Sequence, residues 1–221
     1  MKIAHIADTH IRNLKYHKEY REAFSHLYKR LTEEGVDYIV HCGDIAHTKT
    51  QISPEFVDLC ASFFQNLADI APTYIILGNH DGNLKNSSRQ DALSPIVDAL
   101  AHPELHLAKD SGEILLDDGL VLNVLSVFDR DNWVAPSDRE AINIALYHGS
   151  ISNCKTDLGW MMENGEDTLD ILTLTIVCGT VVPQFSKTME KRMTRVFYYG
   201  RLKVKMTLLF AILNLKTPSR F

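Results

Sequence analysis

Four short groups of metal-ligand residues punctuate the first two thirds of the chain: Asp8-Thr9-His10, Gly43-Asp44-Ile45-Ala46-His47, Gly78-Asn79-His80-Asp81 and Tyr147-His148-Gly149. Carboxylate oxygens mixed with imidazole nitrogens suit divalent ions such as Mn²⁺, Fe²⁺ or Zn²⁺, with Mg²⁺ as a further option, rather than Ca²⁺ alone. Two such ions held about 3.5–4 Å apart bring the pKa of a bridging water toward neutrality and clamp a phosphoryl oxygen, which is the chemistry of phosphoester hydrolysis. A single Asp-x-His is common by chance. The ordered series Asp-x-His, Gly-Asp-x-x-His, Gly-Asn-His-Asp and His-Gly, each after a β-branched run, is rarely met that way. Asp44 is the candidate bridge between two ions.

The groups need rigid elements to aim them. Lys2 to Ala7 is a short apolar run that ends on Asp8 and reads as a buried strand. Phe24, Leu27, Tyr28 and Leu31 recur at helical spacing within Tyr20 to Glu34, and Gly35 is placed to end that helix. Asp37 to Cys42 is the next strand and delivers Gly43-Asp44. Ser53-Pro54 then caps a helix whose apolar face is Phe56, Leu59, Cys60, Phe63 and Leu67. Thr73 to Leu77 is a third strand, and Asn83 to Gln90 a polar loop over the site, followed by a helix through Ile96, Val97 and Leu100. Asp118-Gly119 suits the tight turn of a hairpin between Ile114 to Leu116 and Leu120 to Val127. Ala141 to Leu146 is a fourth motif-bearing strand. The expected class is α/β: a mixed β-sheet sandwich flanked by helices, with the metal site at strand carboxyl ends, where ligands collect in open α/β sheets.

At 221 residues, 45% hydrophobic and 23% charged, the chain suits one sizeable soluble domain plus a remnant. Cys42, Cys60, Cys154 and Cys178 are scattered and form no Cys-x-x-Cys pair, so a reducing, cytoplasmic setting is expected. Lys2 to Ala7 carries a histidine and runs straight into a motif, which does not read as a secretory signal. No apolar run approaches the roughly 20 residues of a membrane span. Residues 1–171 hold 14 Lys/Arg against 27 Asp/Glu, whereas 172–221 hold 9 basic residues and the single acid Glu190. Composition therefore changes near Ile171, after an acidic stretch, Asp157 to Asp170, expected to be an exposed loop.

The order of motifs resembles the calcineurin-like metallophosphoesterases, and within them the SbcD-type DNA repair nucleases and their phage recombination versions. Ile6-Ala7-Asp8-Thr9-His10, His41-Cys42-Gly43-Asp44-Ile45-Ala46-His47 and Leu77-Gly78-Asn79-His80-Asp81 carry the narrower resemblance, which covers roughly residues 1–171. It implies that Asp8 and His10 hold a first metal, that Asp44 bridges, and that Asn79 and His148 hold a second, with Mn²⁺ as the expected ion. His80 would then be free to protonate the leaving oxygen, and Asp81 to orient its imidazole. It further implies DNA as substrate and an ATPase of the SbcC kind as partner, with a homodimer as a further option. Other readings stay open: a phosphatase or phosphodiesterase acting on nucleotides or small phosphoesters, or an inactive binding module.

The family pattern calls for a further Gly-x-His or His-x-His segment, and no histidine follows His148. Two expectations compete for residues 172–221. A shifted reading frame after about residue 171 would account for the lost motif and the lost acids together. A natural short variant would use the segment as a strand and a basic helix. Among the remaining histidines, His47 reads equally as a site residue or a surface one. His5 and His41 read as structural, and His17, His26, His102 and His106 as ordinary surface residues.

Overall fold

Ile3, Ala4, Ile6 and Ala7 are all shut off from solvent, so strand β1 (Lys2–Ala7) is covered on both faces. That double burial explains an unbroken apolar run where a half-exposed strand would alternate. The computed structural model describes residues 1–149 apart from 87, 117 and 118, together with the backbones of Ile176–Cys178 and Leu209–Asn214. The acidic segment Asp157 to Asp170 and most of 172–221 lie outside the described residues.

Helix α1 (His17–Glu34) buries Tyr20, Phe24, Leu27 and Leu31, and ends where Gly35 adopts φ 59° and returns its N–H to Leu31 O and Thr32 O. Strand β2 (Tyr38–Cys42) pairs parallel to β1. Helix α2 (Pro54–Ile70) starts at Ser53, whose hydroxyl accepts from Phe56 N, and stops at Ala71. Pro72 follows Ala71 and disfavours the helical region there. Phe24 of α1 stacks on Phe63 of α2, ring centroids 4.1 Å apart. Burial of each ring is worth about 1.5–3 kcal/mol. Strand β3 (Thr73–Ile76) and helix α3 (Ser94–Leu100) follow.

Strand β4 (Leu105–Ala108) was not expected from sequence; it pairs parallel to β3. His106 on it stacks on Tyr74 at 4.7 Å, so it is part of the sheet's side-chain ladder and not an ordinary surface residue. The expected hairpin is formed by β5 (Gly112–Leu115) and β6 (Leu120–Leu125), with Gly119 at φ 81°. Strand β7 (Ile142–Tyr147) lies parallel to β6. Two short strands come from the basic segment: β8 (Ile176–Cys178), parallel to β7, and β9 (Leu209–Asn214), antiparallel to β1.

The strands form two sheets, ordered β4-β3-β2-β1-β9 and β5-β6-β7-β8. One apolar layer, with Phe24, Leu31, Phe56, Phe63 and Phe64, lies between the first sheet and its helices. A second joins Ile3, Val40 and Ile76 of the first sheet to Leu122, Val124, Ile144 and Leu146 of the other. The sandwich therefore has β1, β2, β3 and β7 ending on the residues that carry the four motifs. No helix among the described residues is long and apolar enough to cross a membrane.

Candidate metal centre

Beyond the carboxyl ends of β1 and β2, the chain does not splay into free loops. Asp8 N donates to Gly43 O (3.1 Å), His10 N to Asp44 O (2.9 Å), Ile11 N to Ile45 O (2.7 Å) and His47 N to Ile11 O (3.0 Å). The two loops are thus zipped together past the sheet. Asp8, His10 and Asp44 all sit at positive φ, 57°, 44° and 55°. Left-handed backbone costs an L-residue about 1–2 kcal/mol, and such strain collects where geometry serves a site. Tyr20 supports it from α1, its hydroxyl donating to His10 O at 2.6 Å.

The loop after β3 meets this pair at two glycines. A Cβ on Gly43 would stand 2.6 Å from Gly78 N and 2.9 Å from His148 Nδ1, and one on Gly78 would overlap Asp44. Gly43 also needs its φ of 81°. Beneath this crossing lies Asp81, fully buried, accepting from Ala46 N (2.7 Å) and Gly78 N (2.9 Å). Burial, reinforced by the charge of Asp44, pushes its carboxyl up to about 7 against the pull of those hydrogen bonds.

Contrary to the expectation from sequence, Asp81 does not orient His80, because its oxygens are turned down to the backbone of two loops. His80 Nδ1 donates instead to the His47 carbonyl at 2.7 Å. That contact also gives His47 a place in the site through its backbone, while its ring stacks near that of His80, centroids 6.2 Å apart.

Asp44 is the centre of the arrangement. It is buried, and its two oxygens face different neighbours. Oδ2 lies 3.6 Å from His10 Nε2 and 4.0 Å from His80 Nε2, and Asp8 Oδ1 is 3.7 Å from the same His10 nitrogen. Oδ1 lies 3.3 Å from His148 Nε2 and accepts from His80 N at 2.9 Å. His148 Nε2 is in turn 3.1 Å from Asn79 Oδ1. Ligand atoms of His10, Asp44 and His80 lie within 4.8 Å of one another, as do those of Asp8, Asp44 and His148.

These groups fit divalent cations. Among the described residues no Lys or Arg pairs with buried Asp44; three imidazoles surround it instead. Separations of 3.6 and 3.7 Å are too long for hydrogen bonds, yet suit atoms that each bind one ion at about 2.0–2.2 Å. His148 Nδ1 donates to Cys42 O at 2.7 Å, which leaves Nε2 with a lone pair aimed at Asp44 and Asn79. Without an ion, burial pulls His148 down, but hydrogen bonding and attraction to Asp44 outweigh it and leave the imidazole above its ordinary value. Burial acts on Asp44 in the opposite sense and is outweighed by His148, so its carboxyl sits low. His10 is pulled down, chiefly by burial.

All seven residues expected from sequence lie at this end of the sandwich. In the sequence Tyr20 marks only the start of a helix, and nothing there singles out Lys49, whose Nζ donates to Asn79 O at 3.0 Å. The signal for Tyr20 was a hydroxyl at the first buried position of α1. His41 lies wholly buried beneath Thr9, Nε2 to Oγ1 3.4 Å, a structural placement as expected.

The model of the calcineurin-like phosphoesterase family matches residues 1–178. The chain belongs to this family. The match runs past residue 171, through β8. An uncharacterized protein of Acanthamoeba polyphaga mimivirus is 42% identical over 176 residues, covering 73% of this chain and 13% of that protein. The DNA double-strand break repair protein Mre11 of Halobacterium salinarum is 30% identical over 87 residues, covering 37% of this chain and 22% of its own length. The chain thus spans less than a quarter of either relative. The crystal structure of Pseudomonas putida nuclease MPE aligns with a TM-score of 0.40 at 15% identity, over 71% of this chain and 65% of that one. The family is one of metal-dependent phosphoesterases, and its model spans all four motif-bearing loops of this chain.

Proposed function

We propose that this chain is a two-metal phosphoesterase, a nuclease that hydrolyses phosphodiester bonds in DNA with Mn²⁺ as its working ion. The observation that carries the reading is the division of Asp44: one oxygen turned to His10, near Asp8, the other to His148, near Asn79. Asp8, His10 and Asp44 would hold one ion, and Asp44, Asn79 and His148 the other. When bound, the pair would supply Lewis acidity toward a phosphoryl oxygen and a water of near-neutral pKa. DNA is supported by the order of motifs and by the similarity to Mre11. An SbcC-type ATPase would be the partner, and residues 1–171 would hold the nuclease unit.

His80 is the residue for the leaving group. Its ring is 41% exposed, whereas the side chains of Asp44 and His148 are almost wholly buried. Nδ1 is held by the His47 carbonyl, so a protonated ring presents Nε2–H toward the centre, where Nε2 lies 4.0 Å from Asp44 Oδ2. As water adds to phosphorus and the bond to the leaving oxygen breaks, Nε2 gives that oxygen its proton, a contribution of about 10²–10⁴-fold. With Asp44 shared, each ion would have three protein ligands, which would leave positions open for water and substrate.

The test is hydrolysis of linear duplex DNA with added Mn²⁺ by the wild-type chain and by His80→Ala. The proposal expects cleavage that falls at least about 10²-fold in His80→Ala while Mn²⁺ binding is retained. Equal rates in the two proteins would refute the role of His80, and no cleavage by the wild type would refute the nuclease reading.

A further inference from the structure

The cations of this protein are placed unevenly. From residue 31 to residue 108 there are eleven carboxylates and only three Lys or Arg: Lys49, Lys85 and Arg89. All three fall in the two loops that leave β2 and β3, beside the candidate metal centre. None of the helices, strands or other turns of that long stretch carries one.

The two loops face each other. Lys49 and Thr50 of the first, with Asn83, Arg89 and Gln90 of the second, line one shallow notch. Its polar side chains include two cations and no carboxylate. Lys49, Lys85 and Arg89 form no ion pair among the described residues. Several other cations of the body are spent internally, among them Arg21 on Asp58, Arg30 on Glu34 and Lys109 on Asp91.

The notch is also built, not merely exposed. Lys49 Nζ is fixed on Asn79 O at 3.0 Å, so one ammonium is set a single residue away from His80. The second loop is stiffened by consecutive turns, Asn86 N to Asn83 O and Arg89 N to Asn86 O, both 3.1 Å. The Asn83 side chain takes Lys85 N at 3.0 Å, and Ala92 N closes the loop on Asp81 O at 2.9 Å.

We infer that Lys49 and Arg89, with Lys85 on the same loop as Arg89, form an anion-binding subsite for a phosphate of the substrate strand next to the one being cleaved. The inference rests on the nuclease reading and deepens it. A small diester has one phosphate, which the metal centre takes, and nothing left for the notch. A nucleic-acid strand repeats its phosphates every ~3.4 Å of helix axis, so a phosphate bound at the centre brings its neighbour to the rim. The subsite therefore selects a polyanionic strand over nucleotides or simple phosphoesters, and it supplies locally the positive charge that an acidic body lacks.

Arg89→Gln, Lys85→Gln and the double variant test this, with Lys29→Gln on α1 as a charge-matched control. Lys49 is left intact because it also holds Asn79. Binding of a fluorescent single-stranded oligonucleotide of about 12 nucleotides is followed by anisotropy in Ca²⁺ across a salt series. The slope of log K against log salt is expected to fall by about 0.7 for each subsite cation removed, and not in Lys29→Gln. In Mn²⁺, KM for the oligonucleotide should rise about 5- to 10-fold per variant with kcat changed less than about twofold. The ratio of oligonucleotide to bis(p-nitrophenyl) phosphate efficiency should drop by the same factor. A double variant with wild-type salt slope, or a parallel loss on the small diester, overturns the subsite. If the wild-type chain cleaves neither substrate the nuclease reading fails, and the salt slopes still decide whether the notch binds a strand.

Discussion

Gly78→Ala puts the interlocked loops under the most direct stress. A Cβ there would overlap Asp44 Oδ1 and Asp44 N and stand 2.9 Å from Asp44 Cγ. Carbon contacts settle at about 3.5–4.0 Å, so the loops after β2 and β3 must part by roughly 1 Å. Parting strains two bonds at once, His80 N to Asp44 Oδ1 and Gly78 N to Asp81 Oδ2, both 2.9 Å. Overpacking of this kind costs about 1–3 kcal/mol, or roughly 2–10 °C in melting temperature for a chain of this size. A shift of about 1 Å in a reacting group costs about 10²-fold in rate. Phosphodiester hydrolysis in Mn²⁺, thermal unfolding and Mn²⁺ titration should therefore all report the change. Gly35→Ala is the control: it adds left-handed strain at φ 59° but meets nothing within 4 Å. That variant should lose about 1–2 kcal/mol of stability and keep its rate. Gly78→Ala retaining kcat within about threefold and full Mn²⁺ binding would refute the argument that Asp44 is wedged in place by the glycine crossing.

Two further outcomes follow from buried groups. Tyr20→Phe removes only the hydroxyl that holds His10 O; titration calorimetry should show Mn²⁺ affinity lowered about 10-fold or more, and unchanged affinity would make Tyr20 a packing residue alone. His41 is held down to about 3, first by burial, against about 6.5 when unfolded. Its neutral form therefore contributes stability that is complete above pH 6.5 and is lost as pH falls toward 3, because the unfolded chain takes up a proton that the folded one refuses. Urea unfolding between pH 6 and pH 4 should show a slope of up to about 1.4 kcal/mol per pH unit from this residue, reduced by that amount in His41→Leu; an unaltered slope would contradict its burial as a neutral imidazole.

Much of this was legible in the chain because the strands are buried on both faces and the motifs follow them directly. Ile3, Ala4, Ile6 and Ala7 could form little else, and Asp8 had to emerge at their carboxyl end. Helices α1 and α2 carried both period and punctuation, in Gly35 and Ser53-Pro54. Strand β4 was hidden because Leu105-His106-Leu107-Ala108 is too short to show a period, and its identity comes from pairing with β3. Within the site, residue type pointed to the ligands but not to their supports. Asp81 beside His80 in sequence suggested a hydrogen-bonded pair. The left turn of the chain at Asp44 and the glycine crossing instead aim Asp81 at Ala46 N and Gly78 N. The partner of His80 is a backbone carbonyl, a group every residue carries, so no sequence signal could mark His47 for it. Tyr20 was concealed for a similar reason, since a tyrosine on an apolar face is ordinary until its hydroxyl is seen to reach His10 O.

The central claim is that Asp44 joins two ions in one centre. Mn²⁺ titration of the wild-type chain and of Asp44→Ala, read by calorimetry and by metal analysis after desalting, tests it most directly. Two ions per chain in the wild type, with binding at both positions lost or severely weakened in Asp44→Ala, is the predicted result. A wild-type chain that holds one ion or none, or an Asp44→Ala variant that binds as the wild type does, would contradict it.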